Sequence, residues 1–179
     1  MLLCLWKPIT IFAHISSSLF LIISSPLSDY ETREKVVFNP SETLEQDESD
    51  RDPPHHFRVK WEGSKKFSTL IALDEEGSKS ALKKLKKKAK KGGQGGEIDV
   101  PRDVSSDDNG EYVPVLAMEC RGLEPYSFHP MGNEFKVISE GGAVFDDDVD
   151  LSEGDWADYD EENDCAVSVN EFESKIVAV

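Results

Sequence analysis

The chain is poor in the residues that build metal centres and disulfide frameworks, with only three cysteines and four histidines among 179 residues. Cys4, Cys120 and Cys165 are odd in number and too widely spaced for a Cys-X-X-Cys pair, so no disulfide framework and no metal ligand are expected. A Cys120 to Cys165 disulfide would suit an oxidising compartment, but a reduced, intracellular chain is the simpler interpretation. No GxSxG, HExxH or Walker sequence is present, so neither an enzyme nor catalytic residues are predicted.

Basic residues are scarce as well, 20 against 36 acidic ones, which gives a formal net charge of −16. This balance disfavours attraction to nucleic acid or to anionic lipid. Residues 140–173 contain 14 acidic side chains and no basic one, whereas Lys79 to Lys91 contains eight lysines. The lysine run favours a solvated, disordered insert, although residues 80–91 are compatible with a short basic helix, and a targeting signal or a nucleic-acid patch are the alternatives.

No hydrophobic run is long enough for a confident transmembrane helix. Residues 9–23 are mostly apolar, follow Lys7 and precede the small residues 24–28, which loosely resembles a secretory signal. A buried strand or an incorrectly predicted first exon are the alternatives. Because a reduced chain is the simpler interpretation of the cysteines, the expected localisation is cytoplasmic or nuclear. The signal-like segment makes a secreted or membrane-anchored protein the second hypothesis.

Short apolar segments predict the organisation of the chain. Residues 1–28 form the apolar N-terminal segment, 29–56 an acidic linker broken by proline, and 57–179 a β domain with a Lys/Gly-rich insert at 77–97. Short strands separated by turns predict a mainly β fold, an antiparallel sandwich or barrel-like domain with disordered N-terminal and Lys/Gly-rich segments. His55 and His56 are interpreted as two solvent-facing histidines beside a strand.

Two motifs in the last third are too specific to follow from periodicity, namely Glu119-Cys-Arg-Gly-Leu-Glu-Pro125 and Asp150-Leu-Ser-Glu-Gly-Asp-Trp156. Through them, residues 98–179 resemble the eukaryotic CXXC-motif-containing zinc-binding protein family. The resemblance implies a small, mostly β, intracellular zinc binder without established enzymatic activity. The candidate structural or partner-binding residues are Glu119, Cys120, Arg121, Gly122, Leu123, Glu124, Pro125, Phe128, Phe145, Asp150, Leu151, Glu153, Asp155, Trp156, Asp158, Tyr159 and Asp160.

The chain departs from the family pattern where the resemblance places the zinc ligands. One CxxC pair is expected directly after a strand like Phe57 to Lys60, and a second before a segment like Ile98 to Val100. Trp61-Glu-Gly-Ser64 and the Lys/Gly-rich run stand there instead. Zinc is the cofactor that the resemblance implies for the family. Because both CxxC pairs are missing, no zinc is expected in this chain. Residues 61–97 are then expected to be poorly ordered, because zinc binding contributes to folding.

The remaining expectations concern the role of the motifs. Cys120 is expected to be a packed thiol rather than a ligand. Trp156 and Tyr159 are expected to anchor the acidic loop onto the sheet, with an interaction patch as the alternative. The predicted function is a non-catalytic, monomeric binding or adaptor protein with an unknown protein partner; the alternative is a secreted or membrane-anchored acidic β protein that binds a partner.

Overall fold

The structure is a computed structural model. It describes residues 1–9, 12–15, 18–26, 28–46, 52–92, 99–130, 132 and 134–179.

The described chain is built mainly from strands, and every strand pairing in it is antiparallel. The mainly β class predicted from the sequence is confirmed. The strands are β1 (Leu2–Ile9), β2 (Phe12–Ile15), β3 (Leu19–Ser25), β4 (Ser28–Phe38), β5 (Phe57–Val59), β6 (Ser68–Leu73), β7 (Val113–Arg121), β8 (Glu124–Phe128), β9 (Phe135–Ile138), β10 (Val144–Phe145), β11 (Trp156–Asp160) and β12 (Cys165–Ala178). The described residues also contain one α-helix, α1 (Glu75–Gly92), and one 3₁₀ turn (Ser106–Asp108).

Three sheets share one core. The largest has the strand order β11-β12-β1-β7-β6-β5, and two three-stranded sheets have the orders β10-β9-β2 and β4-β3-β8. Along β3 buried and half-buried side chains alternate, as expected where one face of a strand lies against a core. Leu21 of β3, Met118 of β7 and Phe135 of β9 belong to one buried hydrophobic cluster, so the sheets pack on each other rather than standing apart.

The N-terminal segment, expected to be disordered, forms strands instead. Leu2 of β1 pairs with Met118 of β7 on one side and with Ala178 of β12 on the other. Because an antiparallel ladder satisfies backbone groups on both sides of β1, the segment gains order from its neighbours and not from its own composition. Within the N-terminal segment, β1, β2 and β3 are strands. β4 runs from Ser28 into the expected linker as far as Phe38.

The lysine-rich run, also expected to be disordered, is helical as far as Gly92, and residues 93–97 lie outside the described residues. Asp74 begins the helix, since its Oδ1 accepts a hydrogen bond from the Gly77 N–H at 2.7 Å. Alanine, leucine and lysine favour helix, and Glu75 and Glu76 complement the positive end of the dipole. No helix in the described ranges combines the length and apolar character needed to cross a membrane.

Candidate functional site

Two turns meet at one end of the large sheet, the β5–β6 turn and the β7–β8 turn. The Trp61 side chain is 3% exposed, and its indole N–H donates to the Gly122 carbonyl at 2.7 Å. The Ser68 hydroxyl donates to the same carbonyl at 2.7 Å. Buried aromatic surface and two convergent hydrogen bonds therefore join the turns directly. Residues 61–92, expected to be poorly ordered, instead form this turn, β6 and α1.

Gly122 is required at this contact by its conformation and by the space around it. Its φ is +70°, which side chains disfavour, and a Cβ there would lie 2.6 Å from the Ser68 Oγ. The glycine of the first motif thus lets the β7–β8 turn approach β6.

A groove lies beside this junction. It has a volume of about 700 Å³ and is lined by residues 64–69, by Arg121 and Gly122, and by Asp52 and Pro53. We refer to it as the basic groove. Its volume is within the range of about 300–1,000 Å³ that ligand sites usually have.

Three side chains that line the basic groove are cationic, Lys65, Lys66 and Arg121, and one is acidic, Asp52. Lys65 and Lys66 are exposed, and neither forms an ion pair with any carboxylate in the described part of the chain. Arg121 contacts Glu119 through Nη2 at 2.9 Å and Nε at 3.2 Å. Both side chains of that pair are largely exposed, so it contributes little to stability.

Phe67 is an exposed aromatic ring in the basic groove, with 53% of its surface accessible. The Arg58 guanidinium lies 5.1 Å and the Lys60 ammonium 5.8 Å from the ring centroid. Cations are attracted to the face of an aromatic ring, so Phe67 holds two further positive charges near the groove.

Cys120 lies behind the groove on β7, opposite Leu70 of β6. It is partly buried against the core, and this burial raises the pKa of its thiol to about 12. This burial against the core fits a packed side chain.

The rest of the first motif supports the core. Leu123 and Pro125 are buried, and Glu124 is exposed. Phe128 packs edge to face on Phe135 with ring centroids 6.3 Å apart. Leu123 and Phe128 thus join the ends of β8 to the hydrophobic core.

The second motif belongs to residues 146–164, which we call the acidic edge. Four of its carboxylates accept hydrogen bonds from backbone N–H groups: Asp150 from Ser152 at 2.8 Å, Asp155 from Glu171 at 2.8 Å, Asp158 from Tyr159 at 2.7 Å and Asp160 from Asn163 at 3.1 Å. The bond to Asp150 holds the pKa of that carboxyl below its usual value. Glu153 is exposed in the same loop. The acidic loop is thus organised largely by its own backbone.

Asp160 is the buried carboxylate of the acidic edge, 2% exposed. Its Oδ2 accepts from the Ser139 hydroxyl at 2.7 Å and from the Asn163 side-chain amide at 2.9 Å. These hydrogen bonds lower the pKa of Asp160, so the ionised form is the stable one here. The carboxylate ties the end of β11 to the loop after β9.

Trp156 and Tyr159 have different roles in the acidic edge. The Trp156 ring packs on Phe145 with centroids 5.4 Å apart, and Leu151 beside it is 1% exposed, so these residues anchor the loop. Tyr159 is 48% exposed, and its hydroxyl donates to Asp164 instead of packing on the sheet. The anchoring role expected of both is thus seen for Trp156 only.

The structure does not bring the two motifs together. β7, which carries the first motif, and β11, which carries the second, are separated in the large sheet by β12 and β1. The basic groove lies towards the β5 edge of that sheet and the acidic edge at the other. The sequence reasoning missed Lys65, Lys66 and Phe67. The run of two lysines and an aromatic residue after Gly63 was the available signal.

The structure therefore defines a mainly antiparallel β protein with a basic groove between two turns. The family described as "CXXC motif containing zinc binding protein, eukaryotic" matches residues 13–177, and the chain belongs to this family. The predicted resemblance is confirmed.

Comparison with individual relatives supports this family membership. The UPF0587 protein CG4646 of Drosophila melanogaster is 40% identical over 73 residues, which cover 41% of this chain and 44% of that protein. The chain thus matches less than half of the fly protein's length. The CXXC motif containing zinc binding protein of Rattus norvegicus is 30% identical over 118 residues, 66% of this chain and 73% of that one. A solved hypothetical protein from Plasmodium falciparum shares the fold, with a TM-score of 0.74, 22% identity and 98% of each chain covered.

The residues that the structure describes do not assemble a family-type zinc centre. Structural zinc requires four Cys or His ligands held together. Within the described ranges no group of three or more His, Cys, Asp or Glu side chains could hold a metal ion. Cys165 is exposed, and Cys120 is a half-buried thiol packed against the core.

His55 and His56 do not supply the missing ligands. His55, expected to face solvent, is 2% exposed, and its Nε2 has no hydrogen-bond partner among the described residues. It is buried because its backbone carbonyl accepts from Leu44 N at 2.8 Å and its Nδ1 lies 3.2 Å from the Pro53 carbonyl. The His56 Nδ1 accepts a hydrogen bond from the Ala72 N–H at 3.0 Å, so this ring nitrogen is already engaged in the fold. One buried imidazole does not make a zinc site.

Proposed function

We propose that this chain is a non-catalytic binding or adaptor protein of the CXXC zinc-binding family whose fold does not depend on zinc. The observation that carries the proposal is the junction of the two turns. The Trp61 indole and the Ser68 hydroxyl hold the Gly122 carbonyl, each at 2.7 Å. Hydrogen bonds and a buried aromatic ring thus perform there the joining role that a structural metal performs in small domains.

The basic groove is the surface that we assign to binding. It has a volume suited to a ligand and presents Phe67 and Arg121, residue types that are enriched at protein interfaces, beside the exposed charges of Lys65 and Lys66. The acidic edge is a weaker candidate, because several of its carboxylates already accept internal hydrogen bonds.

We propose an intracellular location, in the cytoplasm or the nucleus. Cys120 and Cys165 are both free thiols, as is usual for proteins of reducing compartments. Sequencing the N-terminus of the mature chain isolated from cell fractions tests this proposal. An intact N-terminus in the soluble fraction is expected, and cleavage near Ser25 would contradict it.

Elemental analysis of the purified protein tests the metal-independent fold. Protein prepared in a zinc-containing medium and then desalted is expected to carry far less than one zinc per chain. Stoichiometric zinc retained through desalting would contradict the proposal and would show that the ligand argument is wrong.

A further inference from the structure

The basic groove concentrates positive charge on a protein of net charge −16. Lys65, Lys66 and Arg121 line it, and Arg58 and Lys60 lie over its aromatic ring. Because the acidic residues of the rest of the chain repel anions at long range, this patch attracts them only at short range. The groove therefore suits a ligand of modest negative charge.

Two backbone N–H groups of the groove are already engaged within the β5–β6 turn. In the β5–β6 turn, the Ser64 N–H donates to the Trp61 carbonyl at 3.1 Å and the Lys66 N–H to the Ser64 hydroxyl at 3.3 Å. The Ser64 and Ser68 hydroxyls donate to the Lys66 and Gly122 carbonyls. A compact phosphate is usually held by converging backbone N–H groups, and here those of Ser64 and Lys66 serve the turn itself.

The positions of the cations favour an extended ligand. Arg58 and Lys60 are alternate residues at β5 and contact the Phe67 ring, whereas Lys65, Lys66 and Arg121 line the groove. The exposed ring thus lies among positive charges instead of at the bottom of a closed pocket. Carboxylates spaced along a peptide can reach cations arranged in this way while an apolar side chain covers the ring.

We infer that the basic groove binds an acidic peptide segment of a protein partner, with Lys65, Lys66 and Arg121 engaging its carboxylates and Phe67 contacting an apolar side chain between them. The inference rests on the proposed binding function and names the chemistry of the partner. A single-stranded nucleic acid would also pair phosphates with cations and stack a base on Phe67. Its denser charge is repelled more strongly by the net charge of −16.

Fluorescence anisotropy with the full chain tests the inference. The probe is a short fluorescein-labelled peptide of Asp and Glu residues around one Leu, and its counterpart has Asn and Gln in their place. The acidic probe is expected to bind and the neutral one not. Replacing both groove lysines, Lys65→Glu and Lys66→Glu, is expected to weaken binding by about tenfold or more, and Phe67→Ala by about fivefold.

The matched control reverses two exposed lysines of α1, Lys83→Glu and Lys84→Glu, with the same change in net charge. It is expected to retain binding, and all variants are expected to keep the unfolding midpoint of the original protein. Equal losses of peptide affinity in both double variants would overturn the inference, because the net charge of the protein and not the groove would then account for binding. Absence of binding, or tighter binding of a labelled oligothymidylate, would overturn it too. None of these results alters the zinc content, which tests the proposed function separately.

Discussion

The basic groove and the acidic edge use their charges in opposite ways. At the groove, neutral groups make the structural hydrogen bonds, and the ammonium groups of Lys65 and Lys66 face solvent. At the acidic edge, the charged oxygens themselves accept the structural hydrogen bonds, from backbone amides and from Ser139. The density of charge in a sequence is therefore a poor guide to a binding surface. What matters is whether folding has already satisfied the charged groups.

Removal of the Trp61 indole is expected to have the largest effect on the free energy of unfolding. Trp61→Ala is expected to destabilise the protein by about 3–5 kcal/mol, because a side chain only 3% exposed is lost together with its hydrogen bond. Trp61→Phe retains most of the packing and is expected to cost about 1–2 kcal/mol for the lost hydrogen bond and the smaller ring, because Ser68 still donates to the Gly122 carbonyl. Urea unfolding measures both. Equal stability of Trp61→Ala and the original chain would mean that the indole does not join the turns.

A methyl group at the turn gives the next largest effect. Gly122→Ala is expected to cost about 2–3 kcal/mol, because it combines an unfavourable φ of +70° with a Cβ 2.6 Å from Ser68 Oγ. Gly110 is the matched control, since its φ is +77° and a Cβ there meets nothing within 4 Å. Gly110→Ala is expected to cost about 1 kcal/mol. If the two variants lose the same amount, the close approach of the turns is wrong.

The acidic edge should respond to loss of hydrogen-bond partners and not to loss of surface charge. Ser139→Ala is expected to cost about 1–2 kcal/mol, because Ser139 is 3% exposed, donates to Asp160 and accepts from Ala143 N at 3.0 Å. Asp147→Asn changes an exposed charge and is expected to stay within about 0.5 kcal/mol. A larger loss for Asp147→Asn in chemical unfolding would show that this carboxylate has a structural role.

The smallest expected effect is a pH dependence at His56, beside the groove-bearing strands. Burial lowers the pKa of this imidazole below 6.5, and its Nδ1 accepts the Ala72 N–H, so folding favours the neutral form. The stabilisation is complete above pH 6.5 and is lost as the pH falls through the lower folded-state pKa. His56→Asn keeps an acceptor that does not titrate and should reduce this part of the pH dependence. If the original protein and His56→Asn show the same dependence of stability on pH from 7.5 to about 5, this account is contradicted.

The mainly β class could be predicted because it depends on local pattern. Phe57–Val59 is a strand whose apolar and β-branched side chains suit a sheet face. Ser68–Leu73 has the same character but lies in the stretch 61–97, which was expected to be poorly ordered. β1 was missed because its order comes from pairing with β7 and β12, which are distant in sequence. The charge of the lysine run suggested disorder, yet helix propensity and the cap at Asp74 outweighed it.

The candidate site was harder to predict for the same reason. Both motifs were recognised, but a motif does not show which of its side chains folding will bury. The basic groove joins residues 64–69 to Arg121 and Gly122, and Ser68 and Gly122 are 54 positions apart. Such a contact follows from the order of the strands in the sheet, which local periodicity does not give.

Thermal unfolding with and without a strong zinc chelator tests the central claim most directly, since it asks whether hydrogen bonds or a metal hold the two turns together. The account predicts the same unfolding midpoint in the chelator, in its absence and after addition of zinc. A midpoint that falls in the chelator and recovers with equimolar zinc would contradict the account.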